Sequence, residues 1–133
     1  MPNEVAPVAR GDGFSDDQRY EIDRAIRAAE TVCRYEFSLY VGGADGESRP
    51  FAERLHASLI APPRSILIMI DPAARLLEVV TGAVVRRDLS DDAVRLAVVA
   101  MEAAFREGDL VGGIKRGVAQ LAEAARQPTT LHA

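Results

Sequence analysis

Three short stretches of the chain have the apolar spacing of β-strands. In residues 36–41 apolar and polar side chains alternate, which places Phe37, Leu39 and Val41 on one face. Residues 66–70 are all apolar, which is typical of a central strand that helices cover on both sides. A third run, residues 76–81, stops at a Thr-Gly pair. The pattern therefore predicts a small sheet with a buried middle strand.

Four further segments repeat apolar residues at helical spacing, and each begins with a residue that favours a helix start. Ser15 and Gln18 form a capping box, Pro50 suits the first turn of a helix, and Ser90 and Asp109 are N-caps. The apolar stripes of these helices are Ile22, Ile26, Ala29 and Cys33; Phe51, Leu55 and Leu59; Val94, Ala97, Val98, Met101, Ala104 and Phe105; and Leu110, Ile114, Val118 and Leu121.

Loop lengths predict how these elements assemble. A helix separates the first two strands, which makes them parallel, whereas the turn at residues 72–75 is so short that the next pair must be antiparallel. Residues 83–87 fit either a helical turn or a short strand. We therefore predict an α/β fold, a three-layer α/β/α sandwich whose small mixed sheet of three to four strands has helices on both faces. The single domain spans residues 14–127, between flexible tails at 1–13 and 128–133.

The composition is that of an ordinary globular protein. The 133 residues are 48% hydrophobic and 27% charged, with a net charge of −4, which argues against a nucleic-acid-binding protein. We expect a cytoplasmic protein with no membrane span, because no apolar run approaches about 20 residues and the N-terminus lacks a signal-peptide pattern. The single Cys33 excludes an internal disulfide and is expected to be a buried small hydrophobe.

Several short motifs follow one another in a fixed order across residues 14–125. Phe14-Ser15 opens the first helix, Arg75 precedes the strand that ends in Thr81-Gly82, and Leu89-Ser90-Asp91 opens the next helix. Residues 105–118 then run from a phenylalanine through Gly-Asp to Gly-Val. This set resembles the TPM domain family, which is named for a thylakoid-lumen phosphatase and related membrane proteins. The Arg-rich composition favours a bacterial, actinobacterial branch of that family.

The resemblance implies the predicted fold, and phosphatase activity and calcium binding are described for some TPM proteins. The chain departs from the family pattern at Pro63-Arg64, where members often carry Asn-Gly or Asp-Gly. It also lacks the Gly-x-Gly-Leu-Glu sequence around Thr81-Gly82, and we expect neither the membrane anchor nor the Gly-rich tail that family members often have. These departures argue against transferring the family's activities.

Three acidic residues are candidate ligands for a divalent metal ion. Asp71 follows the central strand, and Asp45 and Glu47 lie in the loop after the first parallel strand, so all three should emerge at the same edge of the sheet. Oxygen ligands of this kind suit weakly bound calcium or magnesium. The alternative is that Asp71 starts a turn with Pro72, and that the loop acids are solvated.

Other candidate residues give less support for a reaction. Arg75, Arg86 and Arg87 could bind an anion, but antiparallel pairing places Arg75 at the opposite end of the sheet from the other two. His56 is expected at the surface or partly buried. The sequence contains no Gly-x-Ser-x-Gly elbow, phosphate-binding loop or His-Glu-x-x-His motif. We assign no catalytic residue and no cofactor-binding residue.

These observations favour a non-enzymatic interaction or regulatory domain that binds an unidentified protein partner. The alternative is a metal-dependent, phosphatase-like hydrolase in which a cation near Asp71 would orient water and neutralise phosphate charge. A third hypothesis is a structural chain that self-associates through the helix carrying Met101 and Phe105. The expected oligomeric state is a monomer or a weak homodimer.

Overall fold

A computed structural model describes residues 13–126, and its elements follow the order that the sequence predicts. The helices are α1 (Asp16–Cys33), α2 (Ser48–Ala57), α3 (Asp91–Arg106) and α4 (Leu110–Ala124), and the strands are β1 (Glu36–Val41), β2 (Ser65–Asp71) and β3 (Leu76–Thr81). Two 3₁₀ helices, Pro62–Arg64 and Val85–Arg87, join these elements, so residues 83–87 do not form a strand. The predicted tails lie outside the described residues, except for Gly13.

The sheet is mixed, as predicted, and has three strands in the order β1-β2-β3. Strands β1 and β2 are parallel, with Phe37 opposite Ile66. Strands β2 and β3 are antiparallel, with Ile66 opposite Thr81 and Asp71 opposite Leu76. The carboxyl end of β2 therefore lies beside the beginning of β3, at the turn that joins them.

Helices cover both faces of the sheet, which confirms the α/β/α sandwich. Every residue of β2 is buried. On one face Ile66, Ile68 and Ile70 belong to a core that includes residues of α1, α3 and α4. On the other face Leu67 and Met69 pack with residues of α2. The continuous apolar run of β2 follows from this burial on both sides.

Side-chain caps determine where three of the helices begin. The Ser15 hydroxyl accepts a hydrogen bond from the Gln18 N–H at 3.1 Å, and the Gln18 side chain accepts one from the Ser15 N–H at 2.9 Å. At the start of α3 the Ser90 hydroxyl accepts the Ala93 N–H at 3.1 Å. The Asp109 carboxylate accepts the Gly112 N–H at 2.9 Å at the start of α4. Each cap satisfies a backbone N–H that the helix itself leaves unpaired.

Helices α3 and α4 meet at a tight corner and pack closely along their length. Gly108 at the corner has a φ of +83°, a conformation that glycine adopts without steric cost. An added Cβ would lie 2.6 Å from Phe105 Cε1 at Gly113 and 2.3 Å from Met101 Sδ at Gly117. The two glycines, four residues apart, therefore permit the close approach of α3 and α4.

Candidate ligand-binding cleft

The three predicted metal ligands do not converge in the structure. Asp71 is buried at the end of β2, where one carboxylate oxygen accepts the Ala74 N–H at 3.2 Å and closes the turn. Asp45 and Glu47 are exposed in the loop that precedes α2. Within residues 13–126 no group of three His, Cys, Asp or Glu side chains could hold a metal ion. Asp71 thus has the turn-forming role that the sequence offered as the alternative.

His56 and Cys33 are both built into the core. His56 is more buried than the sequence suggests, and its Nε2 lies 3.0 Å from the Ser65 carbonyl oxygen, so it joins α2 to the start of β2. Cys33 is fully buried, as predicted, and burial raises the pKa of its thiol. A neutral, enclosed thiol is a poor nucleophile.

The arginines around β3 lie at opposite ends of the sheet, as the antiparallel pairing requires. Arg86 donates a hydrogen bond to the Thr81 carbonyl oxygen, at the end of β3. Arg75 lies in the turn before β3. A single anion site formed by Arg75, Arg86 and Arg87 is therefore excluded by the register of the sheet.

A shallow cleft of about 530 Å³ lies at the Arg86 end of the sheet, and its charged groups are largely paired. Arg49 contacts Glu53 at 3.1 Å, Glu78 at 3.3 Å and the Val79 carbonyl oxygen at 2.9 Å. Because Arg49 is already paired with these groups, this cleft has few charged side chains that could bind a ligand.

A second cleft, which we name the hairpin cleft, lies between the β2–β3 turn and the α3–α4 corner. Its volume is about 510 Å³, and it is lined by Ile70, Asp71, Pro72, Arg75, Leu76, Leu77, Glu102, Phe105, Arg106, Gly108 and Leu110. The lining is mainly apolar, with charged side chains contributed by both walls. Such a combination of apolar surface and a few polar groups is typical of ligand-binding sites.

Two guanidinium groups of the hairpin cleft have no hydrogen-bond or ion-pair partner among residues 13–126. Arg75 on the turn and Arg106 at the end of α3 are exposed, and neither guanidinium group makes a hydrogen bond or ion pair with another described residue. Glu102 and the buried Asp71 balance their charge, so the cleft is formally neutral. A polyanion therefore gains little electrostatic binding energy in the cleft. A ligand that combines one acidic group with an apolar surface can contact both the guanidinium groups and the apolar lining.

The backbone at Arg75 is unusual for a residue with a side chain. Its φ is +59°, in the left-handed region, and among non-glycine residues of the described chain only Arg34 shares this conformation. Such a conformation costs on the order of 1 kcal/mol for a residue other than glycine. Backbone strain of this kind is frequent at functional positions.

Sequence reasoning found Arg75 and Asp71 but missed Arg106 as their neighbour. The sequence of residues 105–110 predicts a helix end and a new cap, and it contributes to the family resemblance, but it does not predict a cleft. The Gly108-Asp109 pair predicts a sharp corner between α3 and α4, and in the structure this corner places Phe105 and Arg106 beside the β2–β3 turn. Sequence spacing alone does not show which loop such a corner will face.

The geometry can now be set beside known proteins. Residues 3–122 match the family described as "Domain of unknown function (DUF5130)". The chain belongs to the DUF5130 family. The assignment to the TPM family is therefore wrong. The motifs that suggested it are helix caps, a close-contact glycine and a sharp corner, which specify local geometry and can arise in proteins of different families.

Curated relatives of this DUF5130 chain come from Mycobacterium tuberculosis. It is 28% identical over 93 residues to "Uncharacterized protein Rv2468c" of strain ATCC 25618 / H37Rv and to "Uncharacterized protein MT2543" of strain CDC 1551 / Oshkosh. The match covers 70% of this chain and 56% of each relative, so the chain spans little more than half the length of these proteins.

Three solved structures share the fold of this DUF5130 chain. BA42 from Bizionia argentinensis has a TM-score of 0.75 and 16% sequence identity, and the match covers 87% of this chain and 83% of BA42. The N-terminal domain of a protein from P. gingivalis has a TM-score of 0.74 and 17% identity, with 92% of this chain and 82% of that chain covered. The N-terminal domain of cg2496 from Corynebacterium glutamicum has a TM-score of 0.74 and 12% identity, with 94% of this chain and 82% of that chain covered. At these identities the likeness concerns the fold alone. Among the helices of residues 13–126, none has the length and apolarity that crossing a membrane requires.

Proposed function

We propose that this domain is a non-enzymatic protein-interaction module, which binds a partner segment carrying an acidic group beside apolar side chains in the hairpin cleft. The observation that carries the proposal is the pair of guanidinium groups, Arg75 and Arg106, which bind no other described residue and lie at a cleft lined mainly by apolar side chains. A guanidinium binds a carboxylate through two parallel hydrogen bonds, so it selects both charge and orientation.

Apolar contact supplies the rest of the binding. Leu76 on the hairpin is 40% exposed, and Phe105 and Leu110 contribute from the α3–α4 corner. Burying such side chains against a partner contributes about 25 cal/mol for each Å² removed from water. Because Asp71 and Glu102 oppose the two arginines, charge alone does not hold a ligand, and the apolar contact is required.

The metal-dependent hydrolase is less well supported. Asp71 already accepts the Ala74 N–H, and in the described part of the chain no three acidic, histidine or cysteine side chains form a possible metal site. A calcium and magnesium titration followed by NMR tests this hypothesis directly. Saturable shifts at Asp71 that disappear in Asp71→Asn would favour the hydrolase over the interaction module.

The interaction proposal is tested with a short fluorescent peptide of alternating glutamate and leucine. We expect binding by fluorescence polarisation, and about a tenfold loss of affinity in Arg75→Gln, because a hydrogen bond to a charged group contributes about 1.5–3 kcal/mol. Arg87→Gln is the matched control, since Arg87 is exposed and lies at the other end of the sheet.

Two further peptides separate the contributions to binding. A peptide with glutamine in place of glutamate tests the charge, and one with serine in place of leucine tests the apolar contact. Each should bind more weakly than the parent peptide. Equal affinity of Arg75→Gln and Arg87→Gln for the parent peptide would exclude the hairpin cleft as its site.

A further inference from the structure

Helix α3 presents an outer surface with apolar residues that belong to neither hydrophobic cluster of the described chain. Leu96 is 66% exposed and Val99 is 60% exposed, and Ala100 beside them is also exposed. The opposite side of the helix, with Ala97 and Met101, is buried against the core. Self-association through the helix that carries Met101 and Phe105, the third hypothesis from the sequence, would therefore have to use the outer surface of that helix.

Charged residues flank this apolar surface in an ordered way. With about 3.6 residues per turn, the side chains within about 60° of Val99 around the helix axis form a continuous outer face. Leu96 and Ala103 lie on one side of Val99, and Arg95 and Glu102 lie on the other. Asp92 and Arg106 lie near the two ends, equally far from Val99 along the helix. We call this set, Asp92, Arg95, Leu96, Val99, Glu102 and Ala103 with Arg106, the outer face of α3.

The outer face of α3 is complementary to itself. Suppose that two copies of α3 pack antiparallel, with a two-fold symmetry axis beside Val99. Residues that precede Val99 on one helix then contact residues that follow Val99 on the other helix. The side of the face that carries Arg95 and Glu102 contacts the same side of the second copy. Arg95 then faces Glu102 of the second copy, and Asp92 faces Arg106. Leu96 and Ala103 meet across the apolar side. Asp92 and Arg95 also form an ion pair with each other within one chain, and in the antiparallel pair each of them gains a second opposite charge from the other copy.

We propose that a second copy of this chain docks on the outer face of α3 and forms an antiparallel, two-fold symmetric dimer. The occupant follows from the charge pattern, which is self-complementary only in the antiparallel arrangement. A single pair of helices buries less surface than the roughly 1,200 Å² of a standard stable interface, so the dimer is weak and forms at high protein concentration.

The dimer surface adjoins the hairpin cleft and shares two residues with it. Glu102 and Arg106 border both surfaces, whereas Leu96, Val99 and Arg95 do not line the cleft. Arg75 lines the cleft and lies outside α3. Substitutions at Val99 and Arg75 therefore separate the two proposals: Arg75→Gln should leave the oligomeric mass unchanged.

The first test measures the mass of the full chain by sedimentation equilibrium over a wide range of concentration. We expect the average mass to rise toward twice that of one chain. Val99→Glu should raise the dissociation constant at least about tenfold, because it places two like charges at the symmetry axis. Ile60→Glu is the matched control, since Ile60 is fully exposed elsewhere and should not change the mass. A wild-type chain that remains monomeric throughout would overturn the proposal.

The second test uses two charge reversals in separate chains. Arg95→Glu alone and Glu102→Arg alone each place like charges opposite one another in the dimer, so each should weaken self-association. When the two variants are mixed, opposite charges face each other again at both contacts, and the mass should rise above that of either variant by itself. An effect on folding within one chain cannot produce this recovery, and its absence would overturn the antiparallel arrangement.

Discussion

Arg75 shows at the scale of one residue how a local backbone cost can indicate function. Its φ of +59° is unfavourable for a residue with a side chain, yet the position holds arginine where glycine would relieve the strain. Arg34, at the end of α1, has a similar φ of +68°. The two positions share their backbone conformation, but only Arg75 lines the hairpin cleft.

We predict that Arg75→Gly and Arg34→Gly each raise the free energy of unfolding by up to about 1 kcal/mol, because glycine adopts a positive φ without steric cost. Only Arg75→Gly should also weaken peptide binding, since it removes a guanidinium from the cleft. Denaturant unfolding and fluorescence polarisation measure the two effects. If both variants bind the peptide equally well, the strain at Arg75 has no connection with the cleft.

The buried thiol of Cys33 leads to a prediction about pH. Burial raises the pKa of Cys33, so the folded protein keeps the thiol proton at a pH where the unfolded chain, with a pKa of about 8.5, releases it. The titration of Cys33 should therefore leave the free energy of unfolding unchanged at neutral pH. It should lower that free energy as the pH rises above the pKa of the unfolded thiol.

Chemical denaturation at increasing alkaline pH measures this decline, and Cys33→Ala provides the comparison. The alanine variant should be less stable at neutral pH but should lose stability less steeply in alkali. A thiol reagent such as dithiobisnitrobenzoate should react slowly with the native protein and rapidly in denaturant. Fast reaction with the native protein would show that the thiol is accessible.

The end of β3 shows how a glycine connects two elements. The Gly82 N–H donates to the Ser65 carbonyl oxygen at 3.0 Å, and a Cβ at Gly82 would lie 2.1 Å from the Pro62 carbonyl oxygen. The contact is with backbone, which cannot move aside as the end of a side chain can. The Thr-Gly motif therefore reflects close packing between β3 and the Pro62–Arg64 turn.

Gly82→Ala should lower the free energy of unfolding by about 1–3 kcal/mol, the range for overpacking a close contact. Gly43→Ala is the control, because a Cβ there meets nothing within 4 Å, and it should change stability by less than about 0.5 kcal/mol. Urea unfolding of both variants tests this. Equal stability of Gly82→Ala and Gly43→Ala would mean that the backbone around Pro62 can shift at little cost in free energy.

At the level of the whole molecule, the sequence predicts features that depend on neighbouring residues. The Ser15 and Ser90 caps and the alternation of β1 are determined within a few positions, and the structure confirms them. The parallel and antiparallel pairings follow from loop length. Local rules of this kind account for nearly all of the fold.

The cleft could not be predicted in the same way, because it depends on long-range packing. Asp71 and Arg106 are far apart in the chain and meet only because the α3–α4 corner lies over the β2–β3 turn. The proposed convergence of Asp71 with Asp45 and Glu47 relied on their sharing one edge of the sheet. A shared edge does not bring side chains together, and among residues 13–126 no three such side chains form a possible metal site.

The central claim is that the hairpin cleft is the binding site of this domain, and chemical-shift mapping tests it most directly. On titration of the isotope-labelled 133-residue chain with the glutamate–leucine peptide, the largest amide shifts should fall in residues 70–77 and 102–110. Residues around Arg86 and His56, at the other end of the sheet, should shift little. Shifts concentrated at that opposite end, or no saturable shifts in the hairpin cleft, would contradict the account.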